Sequence, residues 1–286
     1  MRLKDRFSWG TRAYVMGILN VAPDSFSGDG LTGVPAAVAQ ARRFAEHGAD
    51  ILDIGGESTR PDARPLDAAA EISRVAPVIA AVRAALPEMP ISVDTYRAAV
   101  ADAALDAGAD IVNDVWSLRA DPDIAAVAAR HGAPVILMHN RSKPGHAEID
   151  ARLGGQYIGA SYDDLLGEVA GELKALANRA RAAGIGADQI ILDPGLGFGK
   201  SVDQNLALMN HLDDFKALGY PLLVGPSRKS FIGRVLDVPV GERMFGTAAA
   251  VTLSILRGAD IVRVHDVGEM AQVARMTDAI LRAPTA

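Results

Sequence analysis

The chain has no cysteine among its 286 residues. That excludes disulfides, thiolate nucleophiles and sulfur-ligated metals, and it fits a reducing compartment. No apolar run reaches the length of a membrane span. The start, Met1-Arg-Leu-Lys-Asp-Arg-Phe7, lacks the apolar core of a signal peptide, so the cytoplasm is the expected location. An excess of positive charge is also missing. A formal net charge of −6 argues against a nucleic-acid surface, so an anionic ligand must be met by locally placed cations. No Ser-His-Asp arrangement is legible, and covalent nucleophilic catalysis has no candidate. What is present is a hydrophobic content of 49%, enough for a large core in one barrel-sized domain or two smaller ones.

The stretch Ile190-Ile-Leu-Asp-Pro-Gly-Leu-Gly-Phe-Gly-Lys200 starts as a buried strand and breaks at Asp193-Pro194 into a glycine-rich loop. An acid is therefore delivered at the carboxyl end of a strand, the edge at which parallel α/β sheets bind ligands. Glycines at 195, 197 and 199 permit positive φ and close approach to a flat ligand, with Phe198 held between them. Gly199-Lys200-Ser201 is like the end of a phosphate-cradling loop, but residue 194, where that motif needs glycine, is proline; the nucleotide reading fails.

Taken in order, Tyr14–Leu19 reads as a first strand followed by a long loop rich in turn formers, Val21 to Gly30, then a helix from Pro35 to about His47 and the strand Ile51–Ile54. The opening Gly48-Ala-Asp50 recurs as Gly108-Ala-Asp110 and Gly258-Ala-Asp260, each behind a helical pattern, and each reads as a helix-to-strand joint. The spacings of 60 and 150 residues are near two and four βα units of roughly thirty to forty residues. Strands are expected at Ile91–Asp94, Ile111–Asn113, Pro134–Met138, Ile190–Leu192, Leu222–Val224 and Ile261–Arg263. Helices are expected to run to Asp106, from near Asp121, from Ser161 to about Ala183, from Thr247 to Arg257 and from Asp266 to about Leu281. The fold class is α/β, a single-domain (β/α)8 TIM barrel over 1–286 with long loops after strands 1 and 2; an open doubly wound sheet is the alternative.

One rim of such a barrel collects Asn20, Asp53 or Glu57 with Thr59-Arg60, Asp94, Asn113, Met138-His139, Asp193, Arg228-Lys229-Ser230 and Arg263-His265. Singly, each has a bland reading: Asp94 as a helix cap, Asn113 as a turn residue, Arg263 and His265 as a surface pair. Together on one rim they divide by chemistry. Asp94, Asn113, Asp193 and Lys229 suit the edge of a fused heterocycle with an amidine-like donor face. Thr59, Arg60, Arg263, His265 and Asn20 form an anion pocket, where arginine forks suit phosphate oxygens and the Asn20 amide oxygen is a hard ligand for Mg2+ carried in with a diphosphate. Asp53, inside its strand, is left to structure.

These residues lie in motifs that resemble the dihydropteroate synthase family of the folate pathway across nearly the whole chain. The motifs are Met16-Gly-Ile-Leu-Asn20 with Pro23-Asp-Ser-Phe-Ser27, Asp53-Ile-Gly-Gly-Glu-Ser-Thr-Arg-Pro61, Ser92-Val-Asp-Thr95, Asn113-Asp-Val115, Leu192-Asp-Pro-Gly195, Gly225-Pro-Ser-Arg-Lys-Ser-Phe-Ile-Gly233 and Arg263-Val-His-Asp266, in the family's order. The resemblance implies condensation of 6-hydroxymethyl-7,8-dihydropterin diphosphate with 4-aminobenzoate by a dissociative mechanism, with Mg2+ and usually a homodimer. It assigns the pterin to Asp94, Asn113, Asp193 and Lys229, and Mg2+-diphosphate to Asn20, Thr59, Arg60, Arg263 and His265. The aminobenzoate goes to Ser230 and the Lys229 region, with Phe26, Pro61 and Phe198 against its ring.

The chain departs from the family at Ala22, at Gly28-Asp29, at Asp62 and at Met244-Phe245, on loops bordering the aminobenzoate site. A sulfonamide-insensitive form is one expectation from this. Two rivals stand beside the synthase. Methyltransferases that serve corrinoid proteins share the pterin edge but need no diphosphate pocket, and Arg60, Arg263, His265 and Lys229-Ser230 favour the synthase. A silent ligand-binding barrel would release no pyrophosphate.

Overall fold

The computed structural model describes residues 2–21, 33–57, 66–142, 147–150 and 152–283. Among these, eight parallel strands form one sheet: β1 (Tyr14–Asn20), β2 (Ile51–Gly55), β3 (Ile91–Asp94), β4 (Ile111–Asp114), β5 (Val135–Met138), β8 (Ile190–Asp193), β9 (Leu223–Val224) and β10 (Ile261–Val264). Two further strands, β6 (Ala147–Asp150) and β7 (Gly154–Tyr157), make a separate antiparallel hairpin. The sheet runs β8-β5-β4-β3-β2-β1-β10-β9, and a parallel bridge between Leu192 and Leu222 closes it, so the expected barrel is present.

Strand periodicity explains both cores. Side chains two apart share a face. Tyr14, Met16, Ile51, Ile111, Ile136, Ile191, Leu223 and Ile261 meet inside the barrel. Their chain neighbours, such as Val15, Leu52, Val112, Val135, Ile190 and Val262, meet the surrounding helices. Continuous apolar runs follow from burial on both faces. The amino-terminal end of the lumen is plugged by a short helix, α1 (Leu3–Arg6), which the sequence reading did not anticipate. Leu3 and Phe7 join the inner core, and Phe7 stacks on Trp9 and meets the edge of Tyr14, both at 4.9 Å between ring centroids.

The three Gly-Ala-Asp copies are helix-to-strand joints as expected, with Gly48, Gly108 and Gly258 at φ 99°, 108° and 93°. Their aspartates repeat one job. Asp50 accepts from Val15 N at 2.8 Å, Asp110 from Ile91 N at 2.9 Å, and Asp260 from Leu222 N at 2.8 Å. Each satisfies a backbone donor at the start of a neighbouring strand and is paired with a cation, Arg12, Arg83 or Lys216.

Several helix limits differ from the expectation. The long helix begins at Leu165, because Asp164 caps it by accepting from Gly167 N. The helix expected from Thr247 spans Met244–Leu256, and the one near Asp121 spans Ile124–His131. Asp94 and Thr95 do not cap the Ala98–Asp106 helix. Asp121 accepts from Ala98 N instead, which releases Asp94 for the lumen. Among the described residues, no helix is long and apolar enough to cross a membrane.

Candidate active site

Two residues beyond the apolar inner layer, the same strand faces turn polar. Asp53 follows Ile51, Asn113 follows Ile111, Met138 follows Ile136, Asp193 follows Ile191 and Arg263 follows Ile261, while Asp94 shares the face of buried Ser92. Asp94 is the register partner of Asn113, and Met138 of Asp193. The alternation that buries the lower layer therefore delivers these side chains to the carboxyl-terminal mouth.

Arg263 sits at the centre. Its Nε donates to Asp53 Oδ2 at 2.6 Å and its Nη2 to Asp94 Oδ2 at 2.7 Å. Asn113 Nδ2 donates to the same Asp53 oxygen at 3.0 Å. Two arms of Arg263 thus meet carboxylates, one of them on Asp94 of the ring-gripping group, so the cationic pocket adjoins that group directly. Asp53, read from the sequence as structural, is fully buried and ties Arg263 to Asn113. Its partners signal its position, which no local sequence pattern carries. Buried Asp94 Oδ1 has no partner among the described residues, an acceptor placed to receive a ligand donor. Burial pushes the Asp94 carboxyl up to about 7 against the opposing pull of Arg263.

Asp193 accepts from Gly195 N at 2.7 Å, and burial raises it to about 6 against that hydrogen bond and the cations Lys229 and Lys200. The loop behind it has Gly195, Gly197 and Gly199 at φ 72°, 82° and 62°. A Cβ at Gly195 would lie 1.8 Å from the His139 carbonyl oxygen, so only glycine fits. Lys200 is the residue whose role the sequence reading missed. It turns inward, with Nζ 3.0 Å from His139 Nδ1, 2.9 Å from Gly195 O and 3.1 Å from Phe198 O, and stitches the loop to the end of β5. Burial lowers it to about 7. Lys229 Nζ lies 4.1 Å from the Phe198 ring centroid, and that ring stacks on Tyr157 of the hairpin at 5.9 Å. An apolar face bearing a cation is thereby built beside Asp193.

His265 is held by Ser227, whose Oγ is 3.0 Å from Nδ1 and accepts from His265 N at 3.2 Å. Arg228 turns away from this group. Its Nε and Nη2 grip Asp266 at 3.0 and 2.5 Å. Ser230 opens a short helix, Ser230–Leu236, just after Lys229. Asn20 ends β1 opposite Gly55. Among the described residues no cluster of three His, Asp or Glu side chains could hold a metal, so a hard cation here would rely on the Asn20 amide oxygen and on oxygens brought by a ligand. Phe26, Thr59, Arg60 and Pro61 lie outside the described residues, as do Ala22, Gly28, Asp29 and Asp62. Met244 and Phe245 open the Met244–Leu256 helix, and Phe245 is 87% exposed.

A closed (β/α)8 barrel whose lumen ends in carboxylates, an amide and cations has the architecture of an enzyme with its site at the carboxyl-terminal mouth. Residues 16–265 match the family described as pterin binding enzyme. A dihydropteroate synthase of Synechocystis is 50% identical over 278 residues, covering 96% of this chain and 93% of that protein. The crystal structure of dihydropteroate synthase from Clostridium difficile in the presence of pteroic acid superposes with a TM-score of 0.87 at 45% identity, covering 96% and 99% of the two chains. That of the Xanthomonas albilineans enzyme with 4-aminobenzoic acid gives 0.85 at 42% identity, covering 96% and 94%. The chain belongs to the pterin binding enzymes and, within them, to the dihydropteroate synthases.

Proposed function

We propose that the chain is a transferase of folate synthesis that joins the dihydropterin of 6-hydroxymethyl-7,8-dihydropterin diphosphate to 4-aminobenzoate, releasing pyrophosphate. One observation carries this reading. Asp94, Asn113 and Asp193, on three barrel strands, share the mouth with Arg263 and Lys229, and Asp94 Oδ1 waits for a donor. Asp193 and Asp94 accept from the N–H edge of the pterin, Asn113 takes a further polar edge, and Met138 packs beneath the ring. Arg263 Nη1 and His265, with Arg60 and Thr59, receive the diphosphate.

Charge develops on that leaving group as the C–O bond breaks, and fixed cations stabilise it without reorganising. Asp193 and Asp94 meanwhile favour the positive charge left on the electron-rich dihydropterin. Lys229 completes the pterin site, and Ser230 with the Lys229 region meets the aminobenzoate carboxylate, with Phe198, Phe26 and Pro61 against its ring, so that the arylamine attacks. Mg2+ fits the Asn20 amide oxygen together with diphosphate oxygens, and when bound it neutralises the departing charge. Exposed Phe245, Met276 and Ile280, on two helices that pack together (Met244–Leu256 and Val267–Leu281), support a homodimer. The absence of cysteine supports a cytoplasmic setting. Mixing both substrates with Mg2+ should release pyrophosphate in step with dihydropteroate; no pyrophosphate would leave only a binding protein.

A further inference from the structure

Behind the Lys229 loop lies a buried arginine that the mechanism does not use. Arg243 is 2% exposed; burial lowers its pKa, and a second cation, Arg234, lowers it further. No carboxylate among the described residues pairs with it. Its guanidinium instead reaches two backbone carbonyls: Nη1 donates to Arg228 O at 2.8 Å and Nη2 to Leu153 O at 2.6 Å, while Nε has no partner. An uncompensated buried charge is costly, so its retention needs a reason other than stability. Space is cleared for it, since a Cβ at Gly233 would lie 2.3 Å from Nη2.

The two carbonyls belong to two segments that meet on the Phe198 ring. Leu153 immediately precedes the strand Gly154–Tyr157, whose Tyr157 stacks on Phe198. Arg228 immediately precedes Lys229, whose Nζ sits over the same Phe198 ring at 4.1 Å from its centroid. Arg228 also has φ 57°, a left-handed conformation unfavourable for a residue with a side chain, so it must be held from outside. Thr247 Oγ1 accepts from Arg228 N at 3.1 Å and Asp266 grips its side chain; Arg243 takes the carbonyl.

We infer that Arg243 is a positioning residue, a brace that ties the Lys229 loop to the hairpin so that Lys229 and the Tyr157-Phe198 stack keep the spacing that seats 4-aminobenzoate. This rests on the proposed function for the identity of the ligand alone. The test uses the full chain with Arg243→Met, Arg243→Lys, Thr247→Val and the Met/Val double variant, reading kcat, both KM values and amide hydrogen exchange.

Arg243→Met should raise the KM for 4-aminobenzoate and lower kcat, a combined loss of roughly 10 to 100-fold for a displacement near one ångström. The KM for the pterin substrate, which Asp94, Asn113 and Asp193 hold from strands the brace does not touch, should move less. Residues 152–157 and 226–230 should lose exchange protection together. Because Thr247 holds the N–H and Arg243 the carbonyl of the same residue, Arg228, the double variant should lose less than the product of the single losses. Arg243→Lys, which keeps the charge but cannot span both carbonyls, should show the same paired change at smaller size, and it carries the test if the methionine variant does not fold. Lower thermal stability with unchanged kinetic constants, or loss of protection in one segment alone, overturns the brace. If the wild-type protein releases no pyrophosphate, the functional reading fails, while the paired exchange still decides the brace.

Discussion

Replacing Arg263 by methionine tests how the mouth of the barrel is held together. In the native chain Asp53 is fully buried, Arg263 is mostly buried, and the guanidinium joins Asp53 to Asp94. Removing it leaves two carboxylates facing each other in the lumen, each with a buried Oδ1 that already has no partner among the described residues. Breaking a buried pair in this way costs about 3–5 kcal/mol, because the remaining charge has lost both water and partner. Since Arg263 is also the main influence drawing Asp94 down, its loss should push that carboxyl higher and leave it protonated at neutral pH.

Pterin affinity should therefore fall along with pyrophosphate affinity. A cation serving the anion alone would leave pterin binding intact. Urea denaturation at pH 7 measures the first quantity, and titration calorimetry with a pterin and with pyrophosphate measures the other two. Adding Asp53→Asn to Arg263→Met should recover part of the lost stability, since it removes one orphaned charge. A stability loss under about 1 kcal/mol, the range of exposed pairs, with unchanged pterin affinity, would refute this account of the site.

Three further outcomes are expected. Asp193 titrates near 6 and Asp94 near 7 in the free enzyme, and both must be ionised to accept from the ring. Pterin binding therefore releases protons at low pH: affinity should weaken as pH falls through 7 and drop by about tenfold more per unit below 6. Asp193→Asn should flatten the lower limb of a calorimetric pH profile, and an unchanged limb would exclude Asp193. Gly195→Ala drives a Cβ into the His139 carbonyl at a φ of 72° and should destabilise the chain by about 2 kcal/mol or more, seen as a lower melting temperature and weaker pterin binding; a variant as stable as the parent would contradict the loop geometry. Chelating Mg2+ should suppress pyrophosphate release while leaving pterin affinity unchanged within about twofold, since the proposed donors are the Asn20 amide and the diphosphate and not the pterin, and an equal loss of both would place the cation elsewhere.

Much of this was written locally. Apolar runs bounded by glycine and proline fixed the strands, the Gly-Ala-Asp repeat marked three joints, and the glycines after Asp193 declared a loop only they can follow. Those signals are local because backbone conformation and strand period are properties of neighbouring residues. The rim residues were legible as a set, since the two-residue period carries each strand from an apolar side chain to a polar one.

Who bonds whom was decided in three dimensions. Asp53 and Arg263 are 210 residues apart, and only closure of the barrel brings them to 2.6 Å. The same holds for the freeing of Asp94 by Asp121, for Lys200 folded onto loop carbonyls, and for Arg243 spanning two segments. A side chain's partners depend on register and closure, which the strand period alone does not specify.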